Sequence, residues 1–328
     1  MPADSADTTD AADTTVAVGE TTSRKEVATA ALADVAREPG AAKPDPVLVA
    51  DGIVRRFGGL TAVNVDHVEV QRGAITALIG PNGAGKTTFF NLLTGFDKPD
   101  DGTWSFNERP LNGVPPFRVA RMGMVRTFQL TKVLSKLTVI ENMRLGATGQ
   151  RGERLFFGLI PPLWRSQERD ITARADDLLA RFNLDSKRAE FAGSLSGGQR
   201  KLLEMARALM VEPELVMLDE PMAGVNPALT QSLLGHVKDL REQGMTVLFV
   251  EHDMDMVRDI SDWVIVMAQG AVIAEGPPLE VMSDQRVIDA YLGAHHDLSL
   301  AEVAAEEGID APELLGTHDS TPSPKDAS

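Results

Sequence analysis

The stretch that decides the fold is "GPNGAGKTT", residues 80–88. It has the spacing G-x-x-x-x-G-K-[ST], follows the apolar run "AITALI" and opens the helical pattern "GKTTFFNLLTGF". This strand–loop–helix context predicts a phosphate-binding loop. Gly83 and Gly85 let backbone N–H groups converge on phosphates with no Cβ in the way.

Three side chains at the end of this loop have predicted roles of their own. Lys86 is predicted to reach the β- and γ-phosphates, and the Thr87 hydroxyl to ligate Mg²⁺. Thr88 is predicted to donate near the α-phosphate from the helix N-terminus. The residues predicted to surround the nucleotide phosphates are Gly80, Pro81, Asn82, Gly83, Ala84, Gly85, Lys86, Thr87 and Thr88.

Two acidic residues end a second apolar run. "LVMLDE", residues 215–220, is typical of a buried strand that ends on Asp219 and Glu220. We expect Asp219 to lie beside the phosphate loop and to hold Mg²⁺ through water. Glu220 is predicted to point to the other side and to orient or deprotonate the attacking water. An acidic pair after an apolar strand is common by itself, so this prediction depends on the phosphate loop in the same chain.

A second glycine-containing helix start lies far along the chain, in "SLSGGQRKLLEMARALM", residues 194–210. Ser196, Gly197 and Gly198 would present backbone N–H groups and the positive end of a helix dipole, which suit a γ-phosphate. An ordinary serine N-cap followed by glycine explains the same local chemistry equally well. The residues alone leave both interpretations open.

The motifs taken together indicate a family. "GPNGAGKTT", Gln129 in "RTFQ", "LSGGQ", "LVMLDEP" and "EHD" follow one another along the chain. In this order they resemble the nucleotide-binding subunits of ATP-binding cassette (ABC) transporters, over about residues 46–294. The resemblance implies ATP and Mg²⁺ as cofactors, ATP hydrolysis, and a head-to-tail dimer in which the signature of one subunit closes over nucleotide held by the other. The signature residues that it implies in nucleotide contact are Ser196, Gly197, Gly198 and Gln199.

The resemblance also implies roles for single residues. Gln129 matches the glutamine that senses Mg²⁺ and γ-phosphate, as a metal ligand and a catalytic residue, although a lone glutamine is more often a surface residue. His252 matches the histidine that contacts the γ-phosphate and holds the geometry of Glu220. Phe57 lies where the family stacks an aromatic ring on adenine, with a core phenylalanine as the alternative. Asn226 departs from the family, because it replaces a carboxylate in the loop that communicates across the dimer.

Longer stretches resemble one subgroup, the ATPases of branched-chain amino-acid importers. They include "RRFGGLTAVN", "FFNLLTGFDKPDDGTWSF", "LTVIENMRLGA" and "EHDMDMV". Such a subunit acts at the cytoplasmic face of the cell membrane with a second ABC ATPase subunit, as a homo- or heterodimer, with transmembrane permease subunits and, indirectly, with a substrate-binding protein. Because the substrate does not touch this subunit, urea or amide importers and lipid or lipopolysaccharide exporters are the alternatives. A soluble ABC ATPase is a more distant one.

Strand and helix patterns alternate between residues 46 and 294. We therefore predict an α/β fold, with the resemblance implying a P-loop NTPase of the ABC type. Its mixed, mostly parallel sheet would carry an inserted α-helical subdomain at about residues 130–195. Residues 1–45 are predicted to be an acidic, disordered extension, with a helix over "RKEVATAALADVARE" as the alternative. Residues 295–328 are predicted to be a mostly disordered acidic tail.

Composition narrows the class of protein. The net charge is −16, of which residues 1–45 carry −5 and residues 295–328 carry −7, so the body is nearly balanced. This distribution gives no indication of a nucleic-acid partner. The chain has no cysteine, which excludes disulfides and thiolate metal sites. No apolar run approaches the roughly 18 residues of a membrane span, and the N-terminus lacks the pattern of a secretory signal.

Overall fold

Ten strands form two sheets in the computed structural model, which describes residues 23–127, 133–148 and 162–294. The strands are β1 (Pro46–Phe57), β2 (Leu60–Gln71), β3 (Ile75–Ile79), β4 (Asp101–Phe106), β5 (Arg109–Pro110), β6 (Met124–Arg126), β7 (Leu215–Asp219), β8 (Thr246–Val250), β9 (Trp263–Ala268) and β10 (Ala271–Gly276). One sheet is antiparallel in the order β2-β1-β4-β5. The other has the order β10-β9-β3-β8-β7-β6 and is parallel except for β10. The predicted α/β fold with a mixed central sheet is confirmed.

The residue types of the central strands explain why these strands are buried. β3, β7 and β8 are mostly apolar five-residue strands, buried along their whole length. Parallel strands covered on both faces have this composition. Side chains alternate between the faces, so that Ile75 and Ala77 pack into one apolar cluster while Leu78 packs into the other.

Ten helices of the described residues surround these sheets. They are α1 (Arg24–Leu32), α2 (Lys86–Leu93), α3 (Pro116–Arg121), α4 (Val139–Leu145), α5 (Pro162–Arg181), α6 (Gly197–Ala208), α7 (Pro227–Glu242), α8 (Met254–Ile260), α9 (Pro278–Met282) and α10 (Gln285–Ala294). None of them is both long enough and apolar enough to cross a membrane.

The described part of the predicted helical insertion contains α4 and α5. Met143 of α4 and Leu179 of α5 share one apolar cluster with Ile79 of β3, so the insertion and the sheet have a continuous core. An isolated bridge between Thr138 and Phe191 joins the two ends of the described insertion. This packing ties the insertion to the segment that leads into α6.

Residues 1–45 were predicted to be a disordered extension, with a helix as the alternative. The described part of this segment, residues 23–45, contains the helix α1 (Arg24–Leu32). Ser23 and Glu26 form a reciprocal capping box that starts α1. Ala28 and Leu32 lie one helical turn apart and are buried in the apolar cluster that also covers β1 and β2. Apolar side chains at helical spacing thus pack against the core formed by β1 and β2. Composition alone does not predict this packing. Residues 1–22 and the predicted tail, residues 295–328, lie outside the described residues.

A buried ion pair fixes the end of this segment. The side chains of Lys43 and Glu275 are 1% and 0% exposed, and Lys43 Nζ lies 2.9 Å from Glu275 Oε2. The same oxygen accepts from Trp263 Nε1 at 2.9 Å, and Oε1 accepts from the Ala41 N–H at 2.7 Å. The Lys43 ammonium also lies 4.8 Å from the centre of the Trp263 ring. The carboxylate therefore has donors from three residues, which compensates for its loss of solvent.

Replacing Glu275 with alanine is expected to lower the free energy of unfolding by about 3–5 kcal/mol, because the Lys43 ammonium would stay buried without its carboxylate. Urea unfolding followed by tryptophan fluorescence measures this loss. Asp259→Ala is the matched control, since it removes an ion pair with Lys238 whose side chains are 39% and 57% exposed. A Glu275→Ala loss as small as that of the control would contradict the assignment of a stabilising pair.

Candidate active site

Four parallel strands bring the phosphate loop, Asp219, Glu220 and His252 to one edge of the central sheet. In the order β3-β8-β7-β6, the strands lead at their carboxyl ends into residues 80–88, 251–252, 219–220 and 127. Ligands bind at this edge of parallel α/β sheets because the loops converge there. Segments far apart in the sequence are therefore neighbours at this edge.

The loop between β3 and α2 requires glycine where the chain passes closest to other backbone. Gly80 and Gly85 have φ of +146° and +99°. An added Cβ would lie 2.0 Å from the carbonyl oxygen of Met267 at the first position and 2.4 Å from that of Ala62 at the second. The close packing of backbone against backbone explains both glycines, which the sequence analysis placed in the phosphate loop.

The start of α2 presents donors to the surface. Its N-cap is Gly85, which has no side chain to bond the first N–H groups of this described helix. Lys86 Nζ donates to the carbonyl of Pro81 at 3.0 Å and to that of Gly80, so the ammonium lies against the loop backbone. Thr87 is exposed and Thr88 is half-buried at the same helix start. A helix N-terminus with a lysine and two hydroxyls provides the donors that a polyphosphate needs.

Asp219 ends β7 as predicted, with 3% of its surface exposed. Arg126, the last residue of β6, donates from Nη2 to Asp219 Oδ2 at 2.6 Å and from Nη1 to Asn91 Oδ1 of α2 at 2.6 Å. Arg126 therefore joins the acidic strand end to the helix of the phosphate loop. Arg126 was not predicted from the sequence, because only the strand order places β6 beside β7.

Glu220 follows with a left-handed backbone, at φ +45°. Its N–H donates to the carbonyl of Val250 at the end of β8, at 3.0 Å. A left-handed conformation costs a residue other than glycine about 1–2 kcal/mol, and such strain persists where the surroundings hold it. Asp219 is buried and Glu220 is half-buried. That the two side chains point to opposite sides stays a prediction.

His252 lies at the same edge, but its polar contacts are with Glu251. The His252 side chain is 63% exposed, and its Nδ1 lies 3.7 Å from Glu251 Oε2. A role in holding Glu220 stays a prediction. Glu251 is 2% exposed and accepts from the Met222 N–H at 3.0 Å. Burial raises the pKa of the Glu251 carboxyl, and the hydrogen bond from Met222 opposes that rise. Glu251 was not predicted from the sequence, although it directly follows the buried strand β8.

Phe57 is not a core residue. It ends β1 with 48% of its surface exposed, and the Arg55 guanidinium lies 4.6 Å from the centre of its ring. This excludes the alternative interpretation of a buried phenylalanine. An exposed aromatic face is what stacking on a base requires.

The second glycine-containing helix start is a reciprocal capping box. Ser196 Oγ accepts from the Gln199 N–H at 3.2 Å, and Gln199 Oε1 accepts from the Ser196 N–H at 3.0 Å. Ser196 and Gly197 are exposed. Within one chain the predicted N-cap is therefore confirmed, and contact with nucleotide stays a prediction. Asn226 likewise caps α7, accepting from the Leu229 N–H at 2.9 Å. An amide oxygen at this position therefore caps the helix, a role that a carboxylate oxygen can also fill.

The donors suit Mg²⁺ bound together with phosphate. In the part of the chain that the structure describes, no three His, Asp or Glu side chains cluster as a metal site of their own. The Asp219 carboxylate and the Thr87 hydroxyl are hard oxygen donors, and Mg²⁺ commonly takes one or two such ligands besides phosphate and water. Gln129, the other predicted ligand, lies outside the described residues. The loop, the strand-end carboxylates and the helix starts define a P-loop nucleotide hydrolase.

Comparison with known proteins identifies the family. The family model described as "ABC transporter" matches residues 63–223, and that described as "Branched-chain amino acid ATP-binding cassette transporter" matches residues 271–297. The chain is 44% identical over 250 residues to the high-affinity branched-chain amino acid transport ATP-binding protein LivG of Salmonella typhimurium, covering 76% of this chain and 98% of the relative. It is 41% identical over 248 residues to the probable LivG of Archaeoglobus fulgidus, covering 76% and 96%.

A solved structure agrees with the sequence comparison. The ADP conformation of an ATP-binding cassette from an ABC transporter superposes with a TM-score of 0.66 and 37% identity, over 76% of this chain and 99% of that one. The chain belongs to the family of ABC transporter ATP-binding proteins. It is accordingly an ATPase that binds ATP, and the predicted family and fold are confirmed.

Proposed function

We propose that this protein hydrolyses ATP at the cytoplasmic face of a membrane to energise uptake of branched-chain or related amino acids through permease subunits. The family supports the ATPase, and the names of the relatives support this substrate class. The observation that carries the proposal is a surface groove linked to the acidic strand end.

The groove lies beside β6, and its lining is mainly apolar but includes Arg126, Glu204 and Arg207. Two adjacent cavities, of about 430 and 360 Å³, share Ala120, Val125 and Arg126 in their lining. Four large apolar side chains that line them are each more than half exposed: Phe96, Phe117, Leu134 and Leu145. Exposed apolar side chains gathered at one place mark an interaction surface. A helix of a permease subunit has the matching apolar chemistry.

Arg126 connects this groove with the reaction chemistry. It lines both cavities and pairs with Asp219 at 2.6 Å. A partner that shifts the groove would therefore move a side chain bonded to the Mg²⁺-binding carboxylate. We take this connection as the route between transport and hydrolysis.

Residues of this chain supply positioning and electrostatic stabilisation for phosphoryl transfer. The N–H groups at the start of α2 and the Lys86 ammonium bind the β- and γ-phosphates. Thr87 and Asp219 would hold Mg²⁺, with Gln129 as a further ligand, and the ion would supply positive charge beside the phosphate oxygens. Glu220 accepts the proton of the attacking water, and His252 contacts the γ-phosphate. Phe57 stacks on the adenine.

A dimer completes the site in this proposal. The signature, formed by Ser196, Gly197, Gly198 and Gln199, closes over nucleotide held by a second ABC ATPase subunit, which is a copy of this chain or a related one. Exposure of Ser196 and Gly197 at a helix start supports this role. Because ADP has no γ-phosphate to bind there, hydrolysis would reopen the dimer.

Uptake in cells of the source organism tests the proposal. The double variant Phe117→Asp/Leu145→Asp is expected to lower leucine uptake at least about tenfold, the loss that about 1.4 kcal/mol of docking energy produces. ATP hydrolysis by the purified chain should not change. Leu279→Asp is the matched control, since Leu279 is 70% exposed and does not line the groove. Normal leucine uptake in the double variant would overturn the docking role. Loss of urea, amide or lipid transport instead of leucine uptake would overturn the substrate class.

A further inference from the structure

Lys201 holds the turn that carries Glu220. It lies on α6, one helical turn after the capping box of Ser196. Its Nζ donates to the carbonyl oxygens of Pro221 at 3.0 Å, Glu220 at 3.4 Å and Ala223. Burial lowers the pKa of the Lys201 ammonium, and the charges of nearby carboxylates, Glu251 first, oppose that fall. One side chain thus satisfies three acceptors of residues 220–223.

Glu251 holds the same turn by accepting a hydrogen bond from one of its backbone N–H groups. Its Oε1 accepts from the Met222 N–H at 3.0 Å, and its Oε2 accepts from the His252 N–H at 3.4 Å. The carboxyl group is almost fully buried, so these N–H groups replace the water that it loses. Lys201 lies on α6 and donates to backbone carbonyls, whereas Glu251 follows β8 and accepts from backbone N–H groups. We call residues 220–223 the catalytic turn.

The catalytic turn needs such contacts because its first residue is strained. Glu220 has φ +45°, and its N–H is bonded to the carbonyl of Val250. Without Lys201, three carbonyl groups would lose their shared donor beside a cavity of about 20 Å³ lined by Lys201, Glu204 and Glu220. That volume holds about one water molecule, which cannot reproduce three lysine hydrogen bonds. Relaxation of the turn would displace the Glu220 carboxylate.

We propose that Lys201 and Glu251 are positioning residues that place the Glu220 carboxylate for its reaction with water. The inference rests on the proposed role of Glu220 in hydrolysis. Neither side chain needs to touch nucleotide, since both act on the backbone of the catalytic turn. Their effect therefore falls on kcat rather than on ATP affinity.

Lys201→Met is expected to lower kcat for ATP hydrolysis by the full-length chain about tenfold to a hundredfold, since small displacements of a catalytic group cost that much. ATP affinity should stay within about twofold, a change too small to count as lost binding energy. Lys201→Arg should restore most of kcat, because a guanidinium also donates to several carbonyls. Likewise, Glu251→Gln should retain more activity than Glu251→Leu, because the amide oxygen still accepts from Met222. Lys238→Met, at an exposed lysine of α7, is the matched control.

Repeating the Lys201→Met substitution in the Glu220→Gln variant distinguishes an effect on the position of the Glu220 carboxylate from a general loss of structure. In Glu220→Gln, Lys201→Met should cause no further loss of the residual hydrolysis measured in a single turnover, since it acts through the carboxylate already removed. An equal loss in both backgrounds would overturn the proposal, as would a Lys201→Met variant as active as the Lys238→Met control. If Lys201→Met unfolds, Lys201→Gln, which keeps one donor group, is measured in its place, with an intermediate loss expected. Wild-type turnover by Glu220→Gln alone would instead refute the catalytic role of Glu220.

Discussion

Glu220→Gln is expected to reduce ATP turnover by about a hundredfold to ten thousandfold, the usual contribution of a positioned general base. The amide keeps the size and hydrogen bonding of the side chain but cannot take a proton from water. Binding at the phosphate loop should persist, because Glu220 lies at the end of β7 and contributes none of the loop's donors. The variant should therefore hold ATP and accumulate as the closed dimer.

Three measurements on the purified full-length chain check this result. Phosphate release gives the turnover, a fluorescent ATP analogue gives the affinity, and gel filtration with ATP gives the dimer fraction. Glu214→Gln is the matched control, since Glu214 precedes the opposite end of β7 and pairs with Arg72 at 3.0 Å. It should hydrolyse ATP at the wild-type rate. Turnover by Glu220→Gln at the rate of this control would refute the assigned role.

Ser196→Arg is expected to stop hydrolysis while leaving ATP bound at the chain's own phosphate loop. Ser196 is exposed at the start of α6, and an arginine there would occupy the surface proposed to meet the partner's nucleotide. The phosphate loop is built by β3 and α2 and includes no part of α6. In a dimer of two copies of this chain, the expected loss of turnover is as large as that of Glu220→Gln, because neither subunit could close over the other's ATP.

Loss of the N-cap is a separate effect that needs its own control. Ser196 is the acceptor of a capping box, and removing such a cap costs about 0.5–2 kcal/mol of stability. Ser23→Arg removes the same kind of capping box from α1, away from the central sheet edge. It should lose stability similarly and retain hydrolysis. A collapse of ATP affinity in Ser196→Arg, absent from Ser23→Arg, would show that the signature serves its own chain's nucleotide instead.

The sequence predicted those parts of the site that lie within one strand–loop–helix unit. The phosphate loop and the acidic end of β7 are of this kind, because a glycine spacing or an apolar run specifies each locally. The α/β class followed from the alternation of strands and helices. The exposed position of Phe57 had to be observed, since a phenylalanine at a strand end fits a core equally well.

The contacts that could not be predicted from the sequence depend on which strands are neighbours. Arg126 meets Asp219, 93 positions later, only because β6 lies beside β7. Glu251 reaches Met222 because β8 lies between β3 and β7. Lys43 and Glu275 are 232 positions apart, so no local pattern relates them. In each case a charged side chain is satisfied by a distant partner, and charge at a single position carries no sign of where that partner lies.

The N-terminal segment occupies the far end of a helix that starts in the catalytic region. α7 is capped by Asn226, shortly after the catalytic turn, and ends at Glu242, whose carboxylate accepts from the Arg24 N–H at 3.2 Å. Its 16 residues place these ends about 24 Å apart. A fluorophore attached at Ser23 itself would therefore lie near the end of α7 opposite to the catalytic turn. Labelling at that end offers a way to follow the proposed dimer without obstructing Ser196 and the surface that we propose to meet the partner's nucleotide.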